Sequence, residues 1–476
     1  MIDLTGKREC FFDGALVNDA RTTAEFLLHH PVRKNVVITH DKPWEGNSCD
    51  YHNILEDDGL YRMYYLGFEP FGHPVVVCYA ESKDGIRWEK PVLNICEFDG
   101  STENNILLDK AHAGADLDNF MVFKDENPAC PPEKKYKGIL SLDRDGKHGL
   151  HCMYSADGIH FEYGDVLTTE GAFDTLNVVF WDKHAEIYRC YYRGYHAPGS
   201  TGFDGGCEDT IRDIRYMESL DFVTWTGARL IDFDDEEEYA LYTNVVQKYP
   251  RADHIFVGFP TRYYNRKKWT ANYDELGGKE KRLERMKRGE DRFGLVLTDC
   301  MFMTSRDGFR FHKYNEAFMR PGAENALNWV YGDGYPARGL IETPSDLADE
   351  GADNEYSMYI PEGHWACDAA KLVRYTVRLD GFVSMHAGVK EKMLVTKPFT
   401  FTGTNLYINF STSALGYMYF TFVDTDGNRY TSCETFGDKA DRRVCFEDGV
   451  AEKLSGKPVT LEVRMKDADL YSFIFR

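Results

Sequence analysis

Asp50, Asp116, Asp118 and Asp174 stand at the entrance of short, strand-forming stretches that read "DYHNILED", "DLDNFMVF" and "DTLNVVFW". Carboxylates gathered in a narrow, partly desolvated space raise one another's pKa. A set of that kind does acid–base or nucleophilic work: one carboxylic acid protonates a leaving oxygen while a second carboxylate attacks carbon or activates water. Glu342 in "GLIETP" and Glu355 in "NEYSMY" are further candidates for the acid. Asn53, Asn119 and Asn177 follow Asp50, Asp116 and Asp174 by three residues, Asn244 holds the same place in "LYTNVVQK", and Asp333 opens a fifth copy, "DGYPARGL", that lacks the asparagine. The asparagines have an architectural reading as well, because Asn side chains satisfy backbone groups at turns. His52, Arg262 and Trp365 complete the candidate binding set. A Ca²⁺ held by Asp50, His52 and Asp116 suits hard oxygen ligands but is not expected, and no metal or other cofactor is called for.

These residues recur because the chain repeats. "YAESKDGIRW", "MYSADGIHF", "YMESLDFVTW", "FMTSRDGFRF" and "YTVRLDGFVS" place Asp84, Asp157, Asp221, Asp307 and Asp380 at intervals of 73, 64, 86 and 73 residues. Each follows alternating apolar residues and reads as a hairpin turn. A further strand pair precedes each hairpin, its second strand tyrosine-rich in "YRMYYLG" and "YRCYYRG". Two strands plus a hairpin make four per unit, and five such units predict a five-bladed β-propeller, since radial repetition hides the edges of many short strands. The fold class is therefore all-β: residues 1–48 pack on or complete the propeller, residues 49–386 form it, and residues 387–476 form a C-terminal β-sandwich. In a propeller the innermost strands line the axis, so equivalent positions converge. The charged stretch from Asp274 to Phe293 reads as a helical insertion near the mouth, where the loop His196–Asp213 and "PEGHWACDAAK" also lie.

Composition bounds the partners. A formal net charge of −22 disfavours nucleic acid and anionic membranes. Twelve cysteines without a CxxC pair suggest reduced thiols, and the absence of an apolar signal core or long apolar run predicts a cytoplasmic chain. A small carbohydrate is the expected ligand, and a homo-oligomer is compatible with the surface.

On its first-blade segment, "CDYHNILEDDGLYRMYYLG", with an Asp opening the inner strand about ten residues before a Tyr-Tyr pair, the chain resembles the five-bladed propeller glycoside hydrolases, the superfamily of invertases and fructanases, arabinanases and xylosidases. The resemblance implies a glycosidase. It implies Asp50 as nucleophile or base, Asp116 or Asp118 as the carboxylate that tunes and orients, and a third-blade acid. That acid is usually Glu in those families, whereas this sequence offers Asp174. The invertase motif NDPNG is absent, so a fructan substrate is not supported. A glycoside phosphorylase and a noncatalytic carbohydrate-binding propeller are the alternatives.

Overall fold

The computed structural model describes all residues except 70, 71, 145, 205–208, 290 and 448. Parts of two predicted mouth segments, 205–208 and 290, therefore lie outside the described residues. Five sheets of four or more strands form the propeller. The first three blades run outward in chain order: Asn53–Asp57, Leu60–Gly67, Val76–Ser82 and Ile106–Leu108; then Leu117–Lys124, Tyr136–Arg144, Lys147–Ser155 and Glu162–Thr168; then Val178–Asp182, Ile187–His196, Ile211–Ser219 and Arg229–Leu230. The fourth blade, Gln247–Tyr249, Ala252–Gly258, Val296–Ser305 and Arg310–Met319, gains Asp232–Phe233 as a parallel edge.

The fifth blade departs from the expected hairpin. Its inner strands are Ile341–Thr343, Glu355–Glu362 and Lys371–Arg378, but its outer strand is Val32–Thr39, supplied from the N-terminal end of the chain. Circular closure favours this exchange, because a last blade built wholly from consecutive chain would leave its edge joined to the first only by side chains. The turn at Asp380 is thereby released to lead into another sheet.

The repeated turn owes its recurrence to hydrogen bonding. Ser82, Ser155 and Ser305 accept from the backbone N–H of Gly85, Gly158 and Gly308, each at 2.9 Å, while the aspartate Oδ1 of each motif accepts two further N–H groups. These glycines lie at φ of 70–78°, the left-handed region that glycine enters without strain. The tyrosines of the second strands reach the same turns across the blade boundaries: Tyr64 donates to the Gly158 carbonyl (2.9 Å), Tyr191 to that of Gly308 (2.5 Å), and Tyr359 to that of Gly85. Each such buried bond contributes about 1 kcal/mol, and the set locks the ring.

C-terminal to the propeller, a ten-stranded sheet pairs Leu406–Asp424 along most of its length with Val459–Phe475 and recruits Ile2–Asp3, Glu9–Cys10 and Glu25–Leu28 from the other end of the chain. It has its own apolar cluster, in which Phe401 and Phe475 stack at 3.7 Å. The charged insertion is helical, at Ala271–Glu275, Lys279–Arg288 and Arg292–Leu295. Among the described residues eleven cysteines are unpaired, and no helix is long and apolar enough to cross a membrane.

Candidate functional site

Asp50 precedes the inner strand of the first blade and is 5% exposed. Asp118 sits at the start of the second blade's inner strand, where a β-bulge opposite Leu140 and Ser141 leaves Asn119 at φ 56°. A bulge re-aims the side chains beside it, and this one directs Asp118 toward Asp50 and Asp174. Asp174 lies ahead of the third blade's inner strand with its side chain 62% exposed, and Arg193 Nη1 approaches its carboxylate at 3.7 Å.

Three carboxylates from three blades thus share one electrostatic environment. Burial, followed by the charges of Asp118 and Asp174, holds the Asp50 carboxyl well above the ordinary carboxylate range. Burial and then Asp174 push Asp118 up to about 7, with Arg193 opposing. Both inner carboxyls therefore hold their protons to higher pH than an ordinary carboxyl does.

The surroundings are aromatic and incompletely satisfied. Tyr335 stacks on Tyr51 (6.2 Å, 15°) and on Tyr242 (5.4 Å, 13°), and the Arg193 guanidinium lies 4.1 Å over the Tyr242 ring. His364 comes in from the loop after Glu355–Glu362, with Nδ1 3.9 Å from Asp50. Gly332, at φ 110°, makes room for it, since a Cβ there would meet the imidazole at 2.2 Å. Burial, followed by the charge of Arg285, lowers the His364 pKa to about 3, so the ring is neutral. Asp50 Oδ1, His364 Nδ1, Arg193 Nε and Nη2, and the Tyr335 hydroxyl have no hydrogen-bond partner among the described residues. Buried polar atoms are nearly always paired, so five such atoms around three carboxylates mark a place built for a polar ligand.

The other sequence candidates fall elsewhere. Asp116 is exposed and pairs with Lys110 at 2.7 Å. His52 is buried between the first and fifth blades, hydrogen-bonded to His40 (3.2 Å) and stacked on Tyr65 (5.3 Å, 12°); it does not meet Asp50 and Asp116 in a common ligand cage. Three asparagines fasten neighbouring blades: Asn53 accepts from Val122 N–H (2.7 Å), Asn119 donates to the Phe173 carbonyl (3.0 Å), and Asn244 donates to the Tyr191 carbonyl (3.3 Å), whereas Asn177 donates within its own entry loop to the Phe173 carbonyl (2.8 Å). Asp333 caps its own turn by accepting from Val330 N–H at 2.9 Å, and burial pushes it up to about 7. Arg262 is engaged by Asp299 at 2.9 and 2.7 Å. Glu342 bonds Asn354 (2.9 Å), and Glu355 faces Arg374 (3.1 Å) at the exit end of the fifth blade's inner strand, the end opposite the carboxylates. Trp365 packs between Phe293 (4.4 Å) and His364 (5.4 Å) at the mouth.

Tyr51, Tyr242, Tyr335 and His364 were not among the residues selected from sequence, whereas the sequence marks Arg193, with Arg262 and Arg338, as a basic group that could line a phosphate-binding pocket. A signal existed for two of them, since Tyr51 and Tyr242 each stand two residues before a repeat asparagine.

Burial of Asp118 has a stability consequence with a definite sign. Its folded pKa, about 7, exceeds the ordinary 3.8, so the folded state binds the proton more tightly, and the Asp118 contribution to stability is fully present below pH 4 and is lost as pH rises to 7. The difference corresponds to at most about 4 kcal/mol. Asp118→Asn is therefore expected to match the parent's thermal stability at pH 4 and to exceed it by several degrees at pH 8. A constant offset across melts at pH 4, 6 and 8 would contradict this.

No protein-family model matches this chain, and no curated protein matches it in sequence. Among solved structures it is similar to one described as belonging to the GH130 family of mannoside phosphorylases, said to contain glycoside hydrolases that target β-1,2 mannosidic linkages (13% identity, 74% of this chain and 96% of that one, TM-score 0.41). It is also similar to an N-acetylgalactosamine deacetylase from F. plautii (11%, 92% and 95%, TM-score 0.39) and to a fructofuranosidase from Schwanniomyces occidentalis (12%, 93% and 97%, TM-score 0.39). Identities of this order carry no residue-level correspondence.

Proposed function

We propose that this protein is a glycoside hydrolase working at the axial carboxylate site. The observation that carries the reading is the shared electrostatic environment of Asp50, Asp118 and Asp174, in which two carboxyls keep their protons to higher pH than an ordinary carboxyl while the third is open to solvent. Environments that push like groups apart in pKa divide acid from base roles. The Asp50–Asp118 pair carries the proton that the leaving glycosidic oxygen needs. Asp174, at the open side, is the carboxylate that attacks the anomeric carbon or activates water. This division differs from the roles implied by the resemblance, where Asp50 is the base, and burial is the reason. Once the proton is given up, the buried carboxylate left behind faces the positive charge developing on the sugar ring, where a low-polarity setting strengthens the attraction. Tyr51, Tyr242 and Tyr335 offer a paved aromatic wall for the ring.

A second reading has its own support. Arg193 presents Nε and Nη2 without acceptors beside Asp174, which suits phosphate as the attacking group in a phosphorylase. A panel of nitrophenyl glycosides, incubated with and without inorganic phosphate, separates the two. Hydrolysis releases nitrophenol and free sugar at a rate indifferent to phosphate. Phosphate-dependent release with sugar 1-phosphate as product would replace the first reading with the second, and binding of sugars without turnover of any glycoside would reject both.

A further inference from the structure

The helix Lys279–Arg288 is basic in a chain of net charge −22, carrying Lys279, Lys281, Arg282, Arg285, Lys287 and Arg288 against Glu280 and Glu284. Its last turns, with Phe293 and Trp365, line a cavity of about 230 Å³ at the funnel mouth. Most charges around that cavity are already matched. Arg288 pairs with Glu284 (2.8 Å), Lys281 with Asp368 (3.4 Å), and Glu69 accepts from Asn47 N–H (2.9 Å). Arg282, buried beneath, donates to the Trp329 carbonyl at 2.8 Å.

Arg285 differs. It makes no ion pair or side-chain hydrogen bond among the described residues, and its Nη1 is buried without an acceptor. Burial and then the neighbouring Arg282 lower its pKa to about 10, and the smaller opposing influences of Cys367, Glu284 and Asp333 do not make up the difference. Trp365, on the same cavity, likewise has a buried Nε1–H without an acceptor. Leaving a buried donor unmade is costly, and two of them on one small cavity, one carrying charge, call for a ligand that brings acceptor oxygens and negative charge. The cavity is also close to the carboxylates, since Trp365 stacks on His364 (5.4 Å, 17°), whose Nδ1 is 3.9 Å from Asp50.

We propose that this cavity is a subsite for an anionic group carried on the sugar, a carboxylate or a phosphate ester, with Arg285 as its anchor. The sugar part rests on the glycosidase reading; the anion part does not. Arginine suits the task because its planar fork matches either oxyanion.

Titration of the full-length protein with D-glucuronate, glucose 6-phosphate and glucose tests this. At least one of the two anions is expected to bind tenfold or more tightly than glucose, with an affinity that falls as salt is added. Arg285→Gln is expected to weaken that binding at least tenfold and Arg285→Lys to weaken it less, while Asp116→Asn, at an exposed side chain paired with Lys110, changes it less than twofold. Preference for glucuronate assigns a carboxylate, and preference for glucose 6-phosphate a phosphate ester. Because Arg285 is uncompensated, the Gln variant is expected to melt no lower than the parent, so lost binding cannot be ascribed to unfolding. Equal affinity for glucose, no binding of either anion, or unchanged binding by Arg285→Gln overturns the subsite. Arg285-dependent anion binding by a protein that cleaves no glycoside leaves the subsite standing and removes the hydrolase.

Discussion

Asp50→Asn is expected to lower kcat on the best glycoside by 10³-fold or more while the protein stays folded and melts no lower than the parent. The rate effect follows from position. Proton transfer by a placed side chain is worth roughly 10²–10⁴-fold, and Asp50 adds to this the electrostatics of a nearly water-free site, where its carboxyl oxygen Oδ1 has no partner to lose. The stability effect follows from the same burial. A carboxyl held far above its ordinary pKa weakens the folded state as pH rises toward neutrality, and an isosteric amide that cannot ionise removes that weakness. Asp116→Asn supplies the contrast: that side chain is exposed and paired only with Lys110, so less than a twofold change is expected. Asp118→Asn probes the coupling. It withdraws a negative neighbour from Asp50, which lowers the Asp50 pKa, so the alkaline limb of the pH–rate profile moves to lower pH. Retention of a tenth of parental kcat by Asp50→Asn, or an unmoved alkaline limb in Asp118→Asn, would remove Asp50 from the chemistry.

What the sequence made legible was what is local and repeated. Four Ser-x-Asp turns announce themselves because a serine two residues before the aspartate serves the same hydrogen-bonded loop within a few consecutive letters, and with the variant copy at Asp380 they give five repeats. The third of these, at Asp221, holds Phe222 at φ 65° in place of glycine and still satisfies Ser219, so the motif outweighs one strained residue. Asp50 and Asp174 were readable for the same reason, as repeat positions that converge on an axis. The second-blade carboxylate was not decided by the repeat. Alignment on Asn119 pairs Asp116 with Asp50, but the bulge beside Asn119 shifts the register locally and turns Asp118 inward. His364 comes from the fifth blade and is brought near Asp50 only by ring closure, and the outer strand of the fifth blade, Val32–Thr39, belongs to the N-terminal segment that was placed only as packing on or completing the propeller, because it lies over three hundred residues from its partner in sequence. Distance in sequence of that order leaves no local pattern to read.

The fifth turn carries the other large expectation, and its sequence gives the reason. Where the first four motifs have serine, this one has Arg378, and Asp380 does not fold back on its own loop. Fully buried, it receives Arg8 (3.2 Å), Ser472 (2.6 Å) and Asn409 (3.3 Å) on Oδ2, and Tyr249 (2.6 Å) and Arg251 (3.0 Å) on Oδ1, while Arg8 also reaches the half-exposed Asp441 at 3.7 Å. These partners come from the N-terminal segment, the fourth blade and the C-terminal sheet, so one carboxylate ties three parts of the chain together. Burial alone would raise its pKa, but Arg8 and Arg251 with their supporting hydrogen bonds outweigh it, and the pKa is lowered. A depressed folded pKa contributes stability above about pH 4 that is lost as pH falls through the folded value. Asp380→Asn keeps the shape and tolerates the φ of 57° found here, yet it leaves Arg251 without its counter-charge and the buried Arg8 with only the more distant, partly exposed Asp441. Breaking one partner out of a buried ion pair costs about 3–5 kcal/mol, so the variant is expected to be destabilised by that much in urea unfolding at pH 7, and the gap to the parent is expected to close as the parent is titrated toward pH 2. If both parts unfold in one transition in the parent, the variant is expected to separate them into two, since the carboxylate is a shared anchor. A loss under 1 kcal/mol at pH 7, or a gap that does not narrow with acid, would mean that the arginines are held by something other than Asp380.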